Sequence, residues 1–223
     1  MLPLVNGEYY HIYNRGVARQ PIFERKRDYD RFLLTLSYYR FAHPPQRLSL
    51  FLELSETARV EAFKRLEQST DLLVDILCFV LMPNHFHLLV KQRSDDGIST
   101  YIRRSNNSYS RYFTTKYTRP GALFQGVFKA VHIETDEQLI HLSRYIHLNP
   151  FNSFVVKEED FWDYPWSSLS SYLGNAQSFV DPTPVLTHFH FPDVYKQFLM
   201  DHADYAKKLE EIKHLTLEKE RKP

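Results

Sequence analysis

The sequence predicts a domain that mixes β-strands with α-helices, and three patterns carry this prediction. Residues 9–14 alternate in the manner of a strand, and two apolar runs at residues 72–81 and 85–91 flank the turn Met82-Pro83-Asn84. Two such runs around a short turn are typical of a β-hairpin. Residues 98–117 and 135–149 instead show the spacing of helices. We therefore expect a hairpin within a central sheet, with helices packed on it.

The remaining elements follow from local signals along the chain. Residues 28–41 have helical spacing up to His43-Pro44-Pro45, and residues 55–68 form a helix that Ser55 would cap. A further strand is expected within residues 123–132. Thr135 and Gln138 have the spacing of a capping box, and Pro150 is expected to end the helix that they open.

The chain divides by composition into a domain and an appendage. Residues 1–175 hold all of these elements and end in an aromatic packing segment, whereas residues 176–223 form an extension that we expect to be partly helical or disordered. The single cysteine, Cys78, lies in an apolar run and fits a reducing compartment. No apolar stretch is long enough for a membrane span and no signal-peptide pattern occurs, so we expect a cytoplasmic protein.

Two histidines stand at positions i and i+2 of the second hairpin strand. Alternation places His85, His87 and Leu89 on one side of that strand and Phe86, Leu88 and Val90 on the other. Two neighbouring imidazoles form half of a metal site. The alternative is that the pair is structural, because short motifs also arise by chance. A second pair, His188-Phe189-His190, lies in a proline-interrupted stretch and is expected to be an exposed aromatic loop.

Basic residues are concentrated where acidic residues are absent. The net charge is only +1, yet no Asp or Glu falls between Asp96 and Glu134. The basic residues of this stretch are Arg103, Arg104, Arg111, Lys116, Arg119 and Lys129, with aromatic residues between them. A second basic patch contains Arg15 and Arg19, followed by Arg25-Lys26-Arg27. Such charges bind phosphates and aromatic rings stack on unpaired bases, although a solvated helix face over core aromatics would look similar.

The helix at residues 135–149 places His141, Tyr145 and Asn149 in one row, beside an apolar stripe that would dock on the sheet. A tyrosine hydroxyl is a nucleophile once its proton is removed, and a metal ion can assist that. The Asn149 carbonyl oxygen could be a third metal ligand. The alternatives are an ordinary amphipathic tyrosine and a helix-end asparagine.

Five blocks in a fixed order go beyond these separate patterns. They are residues 10–16 (YHIYNRG), 82–89 (MPNHFHLL), 121–129 (GALFQGVFK), 144–150 (RYIHLNP) and 166–168 (WSS). In this order they resemble the REP-associated tyrosine transposases, which are single-tyrosine members of the HUH nuclease superfamily. The resemblance covers residues 8 to 173, and residues 45–70 look longer than is usual for that family.

The resemblance implies a ferredoxin-like or RRM-like α+β domain with a central antiparallel sheet. It implies that His85 and His87 bind Mg²⁺ or Mn²⁺, that Asn149 stands where relatives place a polar ligand, and that Tyr145 is the nucleophile. The expected enzyme cuts and rejoins single-stranded DNA through a 5′-phosphotyrosine intermediate. Its expected substrates are repetitive palindromes that form hairpins, and a monomer is favoured over a dimer.

Two other functions remain open from the residues. A nucleic-acid-binding protein on an RRM-like sheet, without chemistry, would keep the basic and aromatic residues and treat the histidines as structural. A zinc hydrolase would need an open metal site and a general base. No Glu or Asp stands beside the histidines to act as that base, so this function ranks last.

Overall fold

The computed structural model describes residues 4–175, 179–189 and 191–201, and in these residues four antiparallel strands form a single sheet. The strands are β1 (Tyr9–Arg15), β2 (Val74–Met82), β3 (His85–Gln92) and β4 (Lys129–Ile133), in the spatial order β2-β3-β1-β4. With helices on both faces of this sheet, the α+β class is confirmed.

The helices fall into two groups according to the face that they cover. The first face is covered by α1 (Lys26–Tyr39), α2 (Leu48–Phe51), α3 (Glu56–Glu67) and α4 (Gly97–Tyr117). The second is covered by α5 (Asp136–Asn152), α6 (Glu158–Phe161), α7 (Leu169–Tyr172), α8 (Thr183–Leu186) and α9 (Pro192–Met200). We call the first the support face and the second the histidine face.

Alternation along β3 assigns its side chains to these two faces as predicted. Phe86, Leu88 and Val90 enter the core of the support face, whereas Leu89 enters the core of the histidine face. The preceding strand keeps this alternation after a bulge, where the register shifts between Ile76 and Cys78. Strand β3 therefore places apolar side chains on the support face and its two imidazoles on the histidine face.

The predicted helix starts are confirmed, whereas one predicted helix end is wrong. The Ala58 N–H donates to Ser55 Oγ at 3.3 Å, and the Gln138 N–H donates to Thr135 Oγ1 at 3.2 Å. Pro150 does not end α5, which continues to Asn152. Proline removes a single backbone donor, and the later residues still bond to the helix, since the Ser153 N–H reaches the Asn149 carbonyl at 3.0 Å.

The described part of the predicted C-terminal extension packs on the histidine face. Tyr195 and Leu199 of α9 are fully buried there beside Val185 of α8. The charged run predicted at residues 207–222 lies outside the described residues. Among the described helices, none combines the length and the apolar character that crossing a membrane requires.

Candidate functional site

Strand β3 presents its two histidines side by side on the histidine face. His87 is fully buried, and His85 at the start of the strand is half-buried. Their ring centroids lie 5.0 Å apart, with the rings perpendicular to each other. The hairpin turn thus places one imidazole at the surface and the next in the interior of the same face.

Hydrogen bonds orient both imidazoles. His85 Nδ1 lies 2.7 Å from Asn84 Oδ1, an atom that only accepts, so the proton of a neutral His85 sits on Nδ1. His87 Nδ1 lies 2.9 Å from His11 Nε2. If His87 donates in this bond, its lone pair is on Nε2, and that buried atom has no hydrogen-bond partner among the described residues.

The surroundings of His87 keep it neutral. Burial lowers its pKa well below the ordinary value, and the neighbouring His85 and His11 lower it further. A neutral imidazole whose Nε2 lacks a partner among the described residues fits a divalent metal ion, and the bond at Nδ1 would fix its orientation. The described residues hold no group of three or more His, Cys, Asp or Glu side chains suited to a metal; the predicted set is two imidazoles and the Asn149 amide.

Helix α5 brings Tyr145 to the histidines. Its apolar stripe, Leu139, Leu142 and Ile146, is buried in the same core as Leu89 of β3. Tyr145 is 4% exposed, and its ring centroid lies 5.4 Å from that of His87 at an angle of 85°. The phenol, expected to be the nucleophile, therefore shares a face with both predicted imidazole ligands.

The other two members of the predicted helix row have different surroundings. Asn149 is buried one turn beyond Tyr145, and its side-chain oxygen accepts a long hydrogen bond, 3.5 Å, from Ser153 Oγ. His141, one turn before Tyr145, packs against the Phe198 ring at 5.3 Å. The row is thus split, with His141 contacting α9.

A second polar network holds α5 from behind. The buried His147 bonds to Ser168 Oγ at 2.9 Å and to the Tyr195 hydroxyl at 2.7 Å, and burial lowers its pKa to about 3. The fully buried Arg144 donates to the backbone oxygens of Leu199 and Asp201 at the end of α9. Cations at a helix C-terminus are favourable. These bonds connect the helix that bears Tyr145 to α9 and to the segment around Ser168.

Two residues of β1 complete the site, and neither was predicted. Pairing with β3 sets Tyr13 opposite His87, so His11 and Tyr13 project on the histidine face. The ring of His11 stacks on His87 at 5.0 Å, and that of Tyr13 lies 5.9 Å away from it. Alternation in residues 9–14 could have revealed their shared side, but the pairing partner was not visible in the sequence.

The predicted DNA contacts divide between the two faces. Arg15 pairs with His85 and Lys129 with Tyr13 in the strand registers, so both lie on the histidine face. Arg103, Arg104 and Arg111 project instead from α4, which covers the support face. A single DNA segment in contact with all of these residues would have to pass around the sheet.

Several of the predicted contacts bond to the protein, and Arg15 donates to the Gln125 side chain at 2.7 Å. Lys116 binds the buried Asp28 carboxylate at 2.6 Å, and Arg119 donates to the Gln20 side chain at 2.8 Å. Arg19 is exposed in a 3-10 turn after β1.

The second His-x-His stretch does not approach the site described above. His188 is exposed and lies 3.9 Å from the Asp136 carboxylate. Phe189 packs against Tyr195 at 5.1 Å, so the prediction of an exposed aromatic loop is wrong for this residue. His190 lies outside the described residues.

Comparison with known proteins adds a family and a fold. The family model described as "Transposase IS200 like" matches residues 5–149, from just before β1 to Asn149. The solved structure of a REP-associated tyrosine transposase bound to a REP hairpin is similar, with a TM-score of 0.53, 17% identity and coverage of 80% of this chain and 89% of that chain. At that identity the likeness concerns the fold. A comparison with curated proteins finds no match.

Proposed function

This chain belongs to the IS200-like transposase family and is an enzyme that acts on DNA, and we propose that it cuts and rejoins single-stranded DNA through a covalent bond to Tyr145. One observation carries the proposal. The Tyr145 ring lies 5.4 Å from that of His87, on the face where both hairpin histidines stand. A nucleophile and candidate metal ligands side by side are the parts that phosphoryl transfer needs.

The proposed substrate is a DNA palindrome that folds into a hairpin. Support comes from the similar solved structure, whose protein is bound to a REP hairpin. The histidines and the tyrosine meet within one chain, which supports action as a monomer. A hairpin exposes unpaired bases at its foot and loop, where a protein can read base edges directly.

The proposed reaction conserves the number of phosphodiester bonds. The Tyr145 oxygen attacks the scissile phosphorus, the P–O bond to the 3′ oxygen breaks, and the phenolic proton is lost while the 3′ oxygen gains one. The DNA is left with a 3′-hydroxyl, and its 5′-phosphate is bonded to Tyr145. A second 3′-hydroxyl reverses these steps and releases the phenol. Because the broken and formed bonds are alike, rejoining needs no nucleotide cofactor.

His85, His87 and Asn149 are the residues that would hold Mg²⁺ or Mn²⁺. A bound divalent ion would supply Lewis-acid polarisation of the scissile phosphate and stabilise charge in the transition state. His11 has a supporting role, because its bond to His87 Nδ1 orients that imidazole and, when His87 is the donor, leaves the lone pair on His87 Nε2. Arg15 and Lys129, on the same face, would bind neighbouring phosphates.

The test compares two tyrosines beside the same histidine. Labelled hairpin oligonucleotide is incubated with Mn²⁺ and each protein, and a denaturing gel detects DNA linked to protein. Tyr145→Phe should form no adduct, whereas Tyr13→Phe, which alters a phenol 5.9 Å from His87, should keep it. Peptide mapping should then find the phosphotyrosyl bond at residue 145.

Three results decide the matter. An adduct in Tyr145→Phe would exclude this residue as the nucleophile. If Tyr13→Phe forms no adduct and the adduct of the unmodified protein maps to Tyr13, the nucleophile would be Tyr13 of β1. Binding of the hairpin without an adduct in the unmodified protein would favour the non-catalytic DNA-binding alternative.

A further inference from the structure

A groove of about 1270 Å³ lies on the support face, away from the candidate site. Its walls are α1, α4 and the segment from Ala42 to Leu52 that contains α2. Six arginines line it: Arg27, Arg31, Arg47, Arg103, Arg104 and Arg111. No aspartate or glutamate is among its lining residues. The groove is therefore a concentrated positive site.

Most of this charge is not neutralised by the protein. Within the described part of the chain, none of these six arginines forms an ion pair with a carboxylate, whereas Arg65 and Arg93 outside the groove do. Arg27, Arg47, Arg103 and Arg111 are exposed. Lys116, which also lines the groove, is different because the buried Asp28 binds its ammonium group. The groove therefore holds six arginines without a carboxylate partner among the described residues.

Two of the arginines are held in place without losing their charge to a partner. The Arg31 guanidinium lies 5.3 Å from the centre of the Tyr112 ring. Burial lowers the pKa of Arg31, but that pKa starts so high that the group stays charged. Arg104 donates to the Ala42 carbonyl at 2.9 Å. Ordered guanidinium groups bind phosphates better than freely moving ones, because less rotamer freedom is lost.

The spacing along α4 suits a repeating anion. Arg103, Asn107 and Arg111 occupy successive turns of one helix face, and all three line the groove. The eight residue steps from Arg103 to Arg111 span about 12 Å, the rise of roughly three base steps along one DNA strand. A chain of phosphates can thus contact both ends of this row, whereas a single small anion cannot.

We propose that this groove is a second DNA-binding site, which holds the sugar–phosphate backbone outside the cleaved segment and does not read its bases. The choice of DNA as the polyanion rests on the proposed function. Guanidinium groups that contact phosphates position a nucleic acid without sensing its sequence. Arg47, from the segment that contains α2, adds a cation from the wall opposite α4.

The experiment measures binding with cleavage disabled. In a Tyr145→Phe background, the double variant Arg103→Gln/Arg111→Gln is compared with Lys64→Gln/Arg65→Gln, which removes two exposed charges of α3 outside the groove. Fluorescence anisotropy gives the affinity for a labelled hairpin over a range of salt concentrations. The groove variant should bind on the order of tenfold more weakly, and its salt slope should fall by about 2. The control should stay within about twofold.

Two further readouts separate this site from the catalytic one. The groove variant should lose as much affinity for a hairpin of the same length and scrambled sequence as for the first hairpin, because the lost contacts are to phosphates. With Tyr145 restored, the groove variant should need on the order of tenfold more DNA than the unmodified protein for half-maximal adduct formation, whereas the α3 control should not. Arg47→Gln alone should reduce the salt slope by about 1 and so test the α2 wall.

The inference is overturned if the groove variant keeps the original affinity and salt slope, if its loss is confined to one sequence, or if the α3 control loses as much. Its failure differs from failure of the proposed function. An unmodified protein that forms no adduct but binds DNA through the groove arginines would refute the Tyr145 chemistry alone. If the unmodified protein forms the adduct and the groove variant keeps the original affinity and salt slope, the groove proposal alone would be refuted.

Discussion

The two faces of the sheet have cores of opposite character. The support face is filled with aromatic rings in mutual contact, such as Phe32 with Phe86 at 5.2 Å and with Tyr109 at 4.8 Å. The histidine face buries polar groups fully, including His87, His147 and Arg144. Burying polar and charged groups is unfavourable unless they are bonded, and on the histidine face His147 and Arg144 bond to Tyr195, Ser168 and the end of α9.

The buried polar groups also differ in state between the faces. On the support face the Asp28 carboxylate remains charged, because Lys116, Tyr112 and Tyr117 all donate to it. On the histidine face, burial keeps His87 and His147 neutral. The first arrangement is saturated with partners, whereas His87 Nε2 has none among the described residues. Buried atoms without a partner also occur on the support face, such as Arg31 Nε and the Tyr101 hydroxyl, so it is the position of His87 Nε2 beside Tyr145 that suits a ligand.

The comparison is tested most directly by two neighbours on β3 that face opposite ways. Phe86→Ala removes a ring buried between Phe32 and Phe124, and the unfolding free energy should fall by about 3–5 kcal/mol. Urea denaturation would measure this loss. Phe86→Leu should lose less than half as much, because it keeps most of the volume. A loss below about 1 kcal/mol for Phe86→Ala would show that the aromatic core is less closely packed than described.

His87→Ala should have the complementary effect. We expect the rate of covalent adduct formation to fall on the order of 10²–10³-fold, because transition-state charge loses a stabilising group. Mn²⁺ binding measured by calorimetry should be lost, and the stability change should be smaller than for Phe86→Ala. His188→Ala, which changes an exposed histidine away from the site, is the control. Undiminished Mn²⁺ binding in His87→Ala would refute its assignment as a ligand.

Asp28→Asn tests the charged cluster on the support face. It removes the partner of Lys116 and should lower stability at pH 7 by about 3 kcal/mol. Burial alone would raise the pKa of Asp28, but bonds from Lys116, Tyr117, Tyr112 and the Arg25 backbone outweigh it and lower the pKa to about 2. The unfolded value is 3.8, so the carboxylate stabilises the fold above pH 4, and about 2 kcal/mol is lost as the pH falls from 4 to 2.

Urea unfolding at pH 7, 4 and 3 would measure this dependence. The acid-induced loss should be shallower in Asp28→Asn than in the unmodified protein. Asp30→Asn, which changes a half-exposed carboxylate paired with Lys26, should leave the pH profile unchanged. Parallel profiles for the unmodified protein and Asp28→Asn would contradict the described cluster.

The smallest effect is expected from Tyr195→Phe on the histidine face. It removes the hydroxyl that bonds His147 at 2.7 Å and Ser143 at 3.1 Å, so stability should fall by about 1–2 kcal/mol. Hydrogen exchange should show faster opening in α9. Tyr9→Phe is the control, because its ring is half-buried and should change stability by less than about 0.5 kcal/mol. Unchanged exchange in α9 would mean that the network does not hold this helix.

Local periodicity was sufficient to predict part of the site. The alternation of β3 assigned His87 to one side and Phe86 to the other, and the apolar stripe of α5 indicated which side of that helix docks. These predictions succeeded because each concerns neighbours within one element. The cap at Thr135 was equally local and was also confirmed.

The rest depends on which elements meet, and periodicity does not contain that information. The apolar stripe of α4 says that one side is buried but not which face of the sheet it covers, so the separation of Arg103 and Arg111 from the histidines was not foreseen. His11 became part of the site through its pairing with β3. The prediction that Pro150 ends α5 was wrong, because a proline near a helix end removes one hydrogen bond without ending the helix.

The bonds from Arg144 to the end of α9 have a consequence for strand exchange. Moving α5 away from the sheet would break the bonds from the Arg144 guanidinium to the backbone carbonyls of Leu199 and Asp201. These bonds therefore oppose movement of the helix that bears Tyr145. In the proposed reaction, a DNA end bonded to Tyr145 would stay at the site, and the incoming 3′ end would have to move to it.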